Sequence, residues 1–500
     1  VVMRTLLLAC CIVGAAVRGG AEHPSYRHVD LYTAASETAS RSKEWKPGEG
    51  LVLEASGMTW TKDGRLAVTI RKGEVWFLDG IDGDSSEVTF HRFASGLHEP
   101  LGIERDGDDF LVVQRSEVTR LRDTDGDDVA DAYLTEAAGW NVSGNYHGYA
   151  YGPERDGEGR LWVTLNLDMG DRADNSAAWR GWALRLGEKG ELIPVAGGTR
   201  SPCGMGRNAE GDMFYSDQQG TWIPATPIHH LREGAFYGNP DGMASQNRPG
   251  APAKLSAEVP NKVLFPEAVR ALPELVPPAV WMPYNKMGRS ATDIELIDAD
   301  GRFGPFDGQL LVGEFTNAGV NRVFLEKVGG EYQGACFPFL SGFPSAVVSL
   351  LFDEEGDLFV GMTNRGWSSL GSRAYGLTRV EYDAENPPFA IREMRAKPDG
   401  FELVFTEPVD PATIEADAAF AMTSYTYLYS SAYGSEEMDT RDVAISAVEV
   451  DENGRHVRLR VEGLREMYVH ELRTEGIRSS EGKALDHPDA YYTLSRIPGN

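Results

Sequence analysis

Basic residues are scarce in this chain. Lysine and arginine total 48 against 76 acidic residues, a formal net charge of −28. That balance argues against nucleic acid or an anionic membrane surface as partner, since either calls for a basic face. Long apolar runs are also missing: past the N-terminus no segment is apolar enough to cross a bilayer, so the chain is not expected to span a membrane. Of four cysteines, Cys10 and Cys11 fall in the N-terminal apolar stretch. Cys203 and Cys336 remain, as either a disulfide or two buried thiols. There is no Cys-x-x-Cys-His, and hence no covalently attached haem is expected. Glycine-rich phosphate loops, a nucleophile elbow and zinc-ligand spacings are absent as well.

What is present begins with Arg4 and an apolar run from Leu6 to Val17, then Arg18-Gly19-Gly20-Ala21. This pattern predicts a signal peptide over residues 1–21 and a secreted or periplasmic mature chain. Beyond it, one unit recurs: a short strand, a turn of Asp, Glu or Asn with Gly, and a nearly all-apolar strand. The copies are GMTWTKDGRLAVTI from Gly57, LGIERDGDDFLVVQ from Leu101, the stretch Asn145 to Asp168, CGMGRNAEGDMFYSD from Cys203, TDIELIDADGRFGPFDGQLLVGE from Thr292 and VVSLLFDEEGDLFVGM from Val347. Second strands such as LAVTI, LWVTL and LFVG are apolar on both faces, as in sheets stacked between neighbours. Six such hairpins predict an all-β chain with a six-bladed β-propeller over residues 22–385. A Pro-rich insertion at 239–287 is expected to serve as a lid or brace. After Asn386-Pro387-Pro388 the alternating short strands of 386–500 predict a small Ig-like β-sandwich.

Residues that lead into each first strand, or follow each second strand, should crowd around the axial channel. The first set contains Glu99, His147, Arg200, Arg289 and Ser345; the second contains Arg71, Asn166, Asp217, Gln218, Glu314 and Arg365. Such a density of polar groups calls for a ligand, water or internal partners. His147 is the natural general base of the set. Arg200 and Arg289 could hold an anion or pair with carboxylates such as Asp217 or Glu314. Separately, Asp123, Asp125, Asp127 and Asp131 occupy positions 1, 3, 5 and 9 of a glycine-containing loop, with Val129 at the position that offers a backbone carbonyl. Hard oxygen donors so spaced suit a structural Ca²⁺ between blades two and three, although Asp128 replaces the usual Gly and Leu134 the usual Glu.

The runs Gly96 to Gly102, Asn145 to Gly148, Gly198 to Gly204 and Asp217 to Gly220 together resemble the glucose/sorbosone dehydrogenase propellers, which use pyrroloquinoline quinone (PQQ) and Ca²⁺. More closely, residues 50–383 are similar to the dehydrogenase-type propeller of large exported proteins from planctomycete-type bacteria, and the tail to their Ig-like domain. The resemblance implies oxidation of a sugar or related alcohol, with electrons passed to a separate acceptor such as a cytochrome. It implies His147 as base, Arg200 on the cofactor side and Gln218 in the turn that binds catalytic Ca²⁺. Where the family has a lysine on blade five and arginines leading into blade six, this chain has Glu314 and Ser345-Ala346; Arg289 and Arg365 are the remaining cofactor-side cations. Two other readings stand beside this one. The first is a non-catalytic propeller binding carbohydrate or protein with structural calcium. The second is a Ca²⁺-dependent lactonase or hydrolase with Glu99, Asn166, Asp217 or Glu314 as metal ligands.

Overall fold

The computed structural model describes residues 23–34, 51–170, 173–414 and 419–499; the leader expected over 1–21 lies outside them. Each hairpin of the sequence becomes the inner half of a four-stranded antiparallel blade, and the six blades form a β-propeller. Blade one is Ala55–Trp60, Leu66–Ile70, Glu74–Asp79 and Thr89–Ser95, in that order from the axis outward. The inner strands of blades two to six are Ile103–Asp106, Ala150–Arg155, Gly204–Arg207, Ala291–Leu296 and Val347–Phe352. Second strands such as Leu66–Ile70 and Leu358–Thr363 are buried along their whole length, as stacking of neighbouring blades requires. Glycine at the start of the inner strands lets adjacent blades meet: a Cβ on Gly57 would stand 2.5 Å from Gly102 Cα.

Three parts of the architecture differ from expectation. Tyr26–Thr33, which precedes blade one in the chain and lies outside the six hairpins, is not part of that blade. It pairs antiparallel with Tyr375–Tyr382 as the outer strand of blade six, so the ring is closed by joining the two ends of the propeller segment. The Asp123–Asp131 loop lies within blade two, between Glu117–Arg122 and the outer strand Ala132–Ala138, instead of between blades. The Pro-rich segment supplies the outer strand of blade four, Val280–Met282, and a helix, Phe265–Ala271. Its Val263–Leu264 pairs with Tyr429 and Leu428 of the C-terminal region, so this part of the segment acts as a brace.

The C-terminal region packs two sheets on each other around Phe401, Leu403, Leu459, Leu472 and Tyr492. One of these sheets is continuous with blade five, because Asp489–Leu494 pairs with Glu331–Leu340 through Gly334, Ala335 and Cys336. Tyr425, Tyr427 and Tyr429 bury into the same core as Phe265, Trp281 and Tyr332 of the propeller. Backbone pairing and a shared core therefore fix this region to the propeller.

Candidate functional site: the axial pocket

A cavity of ≈ 190 Å³ runs along the propeller axis. Its upper wall is formed by Arg71, Tyr146, His147, Tyr149, Gln218, Phe315, Arg365 and Trp367, and its lower wall by Glu104, Glu154, Asp293 and Glu295. His147 reaches the cavity because its backbone is held on both sides. Its N–H donates to Asn145 Oδ1 at 2.9 Å, and its carbonyl accepts from Asn166 Nδ2 at 2.6 Å. Its ring stands edge-on to Tyr146, with centroids 5.2 Å apart.

The loop bearing His147 is further tied down by Arg115, which donates to the carbonyls of Asn145 (2.9 Å) and Tyr146 (2.6 Å) and pairs with Glu99. Arg71 donates to the hydroxyls of Tyr146 and Tyr149 and to the carbonyl of Arg365, and its Nε is 3.5 Å from Glu99. Arg365 sets its Nε against both oxygens of the fully buried Glu54, at 2.8 Å each. The two cations at the mouth thus each have a carboxylate beside them.

Deeper in, burial dominates. It pushes the Asp293 carboxyl up to about 7, and burial together with Asp293 pushes Glu295 up to about 8. Glu154 is raised well above its ordinary value by burial and by Asp293. The same burial raises the Cys203 thiol to about 12; Cys203 lines the cavity, Cys336 lies buried in blade five, and both are free.

Of the residues expected around the channel, Arg71, His147, Gln218 and Arg365 line the cavity. Asn166, Asp217 and Glu314 do not, and the reason is local. Asp217 accepts the backbone N–H groups of Arg200, Ser201 and Gln218 at 2.7–2.8 Å. Glu314 accepts those of Arg289 (2.7 Å), Ser290 (2.6 Å) and Asn317. Both carboxylates staple the start of their own blade's inner strand, as the amide of Asn166 does for blade three by donating to the His147 carbonyl. Glu99 is engaged by Arg115 and Arg71.

Arg200 is buried beneath Gly220 and the ring of Tyr433, 5.4 Å from its guanidinium carbon. Arg289 donates to Asn285 Oδ1 and lies over Tyr284. Neither arginine lines the cavity. Sequence reasoning missed Tyr149, Glu104, Glu154, Glu295, Phe315 and Trp367. The first strands did carry a signal, since Glu104, Glu154 and Glu295 occur in the same place of three repeats.

PQQ is a tricarboxylate, and the residues present do not fit it. Arg71 and Arg365 are already paired, Arg200 and Arg289 lie off the cavity, Glu314 is taken up by backbone N–H groups, and the lower wall carries carboxyls and no cation. For Ca²⁺ the loop of blade two fits better. Carboxylate oxygens of Asp123, Asp125 and Asp131 lie within 4.8 Å of one another. The Asp125 carboxyl is raised by repulsion from Asp127 together with Asp131 and Asp123. Asp127 is outside this trio, its Oδ1 accepting the Val129 N–H at 3.0 Å.

The family model described as a domain of unknown function, DUF7133, matches residues 47–336. The chain belongs to this family. The DUF7133 segment spans blades one to five and so holds most of the cavity wall, whereas Arg365 and Trp367 lie beyond it. No curated protein matches the chain. Solved structures similar to it include the apo form of the soluble aldose sugar dehydrogenase of Escherichia coli, at 14% identity and TM-score 0.48, covering 72% of this chain and 100% of that one. The PQQ-bound aldose sugar dehydrogenase of Streptomyces coelicolor is 15% identical, with TM-score 0.46 and coverage of 72% and 100%. The PQQ domain of pyranose dehydrogenase from Coprinopsis cinerea, in its holo form, is 14% identical, with TM-score 0.48 and coverage of 72% and 96%. The propeller assignment rests on the six sheets of this DUF7133 chain itself.

Proposed function

We propose that the axial pocket binds a sugar or related polyol and that the loop of blade two holds a structural Ca²⁺. One observation carries the reading of the pocket: its upper wall sets hydrogen-bonding groups of His147, Tyr146, Gln218 and Arg365 beside the apolar faces of Phe315 and Trp367. A sugar ring presents the matching surfaces, hydroxyls at its edge and C–H groups on its faces. Paired cations, and a floor whose carboxyls burial holds toward their neutral forms, favour a neutral ligand over an anionic one.

A second reading is oxidation of the bound sugar, favoured by the placement of His147, a group able to take a hydroxyl proton. No quinone step is assigned, because the cavity does not suit a tricarboxylate.

Calorimetric titration with a panel of neutral aldoses tests the first reading: saturable binding is expected, weakened at least about ten-fold by His147→Ala. Absence of binding to any aldose would overturn it. Addition of PQQ and Ca²⁺ with an artificial electron acceptor tests the second. Sugar-dependent reduction lost in His147→Ala would establish oxidation and refute the misfit of the quinone.

A further inference from the structure

Five aromatic side chains stand exposed among the described residues, and four of them lie on the cavity wall or beside residues that lead into the inner strands. Tyr146 (46% exposed) and Trp367 (40%) line the cavity mouth directly. Tyr284 (38%) lies on the turn before the inner strand of blade five, beside Arg289. Tyr433 (68%) comes from the C-terminal region. Its loop is bonded to the turn that follows Gln218, a residue of the cavity wall: Thr221 and Tyr433 form a β-bridge, and Gly434 N–H donates to the Gly220 carbonyl at 3.0 Å. The C-terminal region also holds the Tyr284 turn, through Lys286 paired with Glu471 and Glu437 at 2.6 Å each.

We infer that these four rings form a platform for a neutral glycan chain whose end enters the axial pocket, and that the C-terminal region sets the chain-length preference. The inference rests on the sugar reading of the pocket. Three features favour a glycan. The rings are separate, each beside a polar group, as Tyr433 is to Arg200, Tyr284 to Arg289 and Tyr146 to Arg71; Trp367 Nε1 donates to Thr316 Oγ1 at 3.3 Å. A protein partner would favour a contiguous apolar patch, whereas a polysaccharide alternates C–H faces with hydroxyls. The platform is continuous with the pocket through Tyr146 and Trp367. Finally, a net charge of −28 opposes acidic polymers.

The test is calorimetry of the full chain with β-1,4- and α-1,4-linked gluco-oligosaccharides, from monomer to hexamer. In at least one series affinity should rise with length, by about three- to ten-fold for each ring engaged. Tyr433→Ala and Tyr284→Ala should remove that rise while leaving glucose binding as it was, and Tyr433→Phe should retain it. Equal affinity at every length, or equal weakening of monomer and hexamer by Tyr433→Ala, would overturn the platform and leave the pocket standing. Failure of every sugar, glucose included, would overturn both.

Discussion

Glu295 offers a quantitative test of how dry the propeller axis is. Its ordinary carboxyl value is 4.5, and in the fold it is pushed up to about 8, first by burial and then by Asp293. The folded chain therefore holds this proton more tightly than the unfolded chain. Between those two pH values the folded state binds more protons, so stability is highest in acid and falls as pH rises through the window. A shift of that size corresponds to roughly 5 kcal/mol in a dry site. Glu295 also touches the cavity, and water there reduces the realised penalty to about 1–2 kcal/mol. Glu295→Gln removes the charge and keeps an oxygen to accept the Phe352 N–H. Thermal unfolding followed by circular dichroism should show the variant melting about 1–3 °C above the parent near pH 9 and level with it near pH 5. Equal melting at both pH values, or an equal gain at both, would refute burial of an ionisable carboxyl as the cause.

Two further outcomes follow from the fold. Chelation of calcium should lower the melting temperature of the parent, and Asp123→Asn combined with Asp125→Asn should abolish that difference; melting scans with and without chelator decide it. Deletion of residues 387–500 should yield an insoluble or non-cooperatively unfolding chain. It removes the strand paired to Gly334–Cys336 and the three tyrosines from the shared core. A soluble fragment with a sharp transition would show that the propeller stands alone.

The blades were legible because burial on both faces leaves its mark in short, continuous apolar strands such as Leu66–Ile70. The closing strand was not: Tyr26–Thr33 is half exposed on the edge of blade six, so its alternation is weak and its partner lies some 350 residues away. Outer strands such as Thr89–Ser95 and Ala132–Ala138 share that partial exposure, which placed the acidic loop outside blade two instead of within it. The union of blade five with the C-terminal sheet left no local trace either, since a strand that pairs across domains has the same periodicity as one that pairs within its own.

The polar residues at the propeller mouth divide by what they face. A blade begins where its inner strand leaves a loop, and the first amides of that strand have no ladder partner on the channel side. Asp217 and Glu314 meet this need with carboxylates that each accept three N–H groups, and Asn364 does the same for blade six by accepting the Ala346 N–H. Scaffold demand alone therefore accounts for much of the polar density that the aligned repeats display. His147, Gln218 and Arg365 differ in position by only a residue or two, and that offset turns a side chain from its own backbone toward the cavity. A one-residue step is below what repeat alignment resolves across loops of unequal length. The staples nonetheless bear on the site, because Asn166, in holding the carbonyl of His147, fixes the one imidazole that the cavity presents to a ligand.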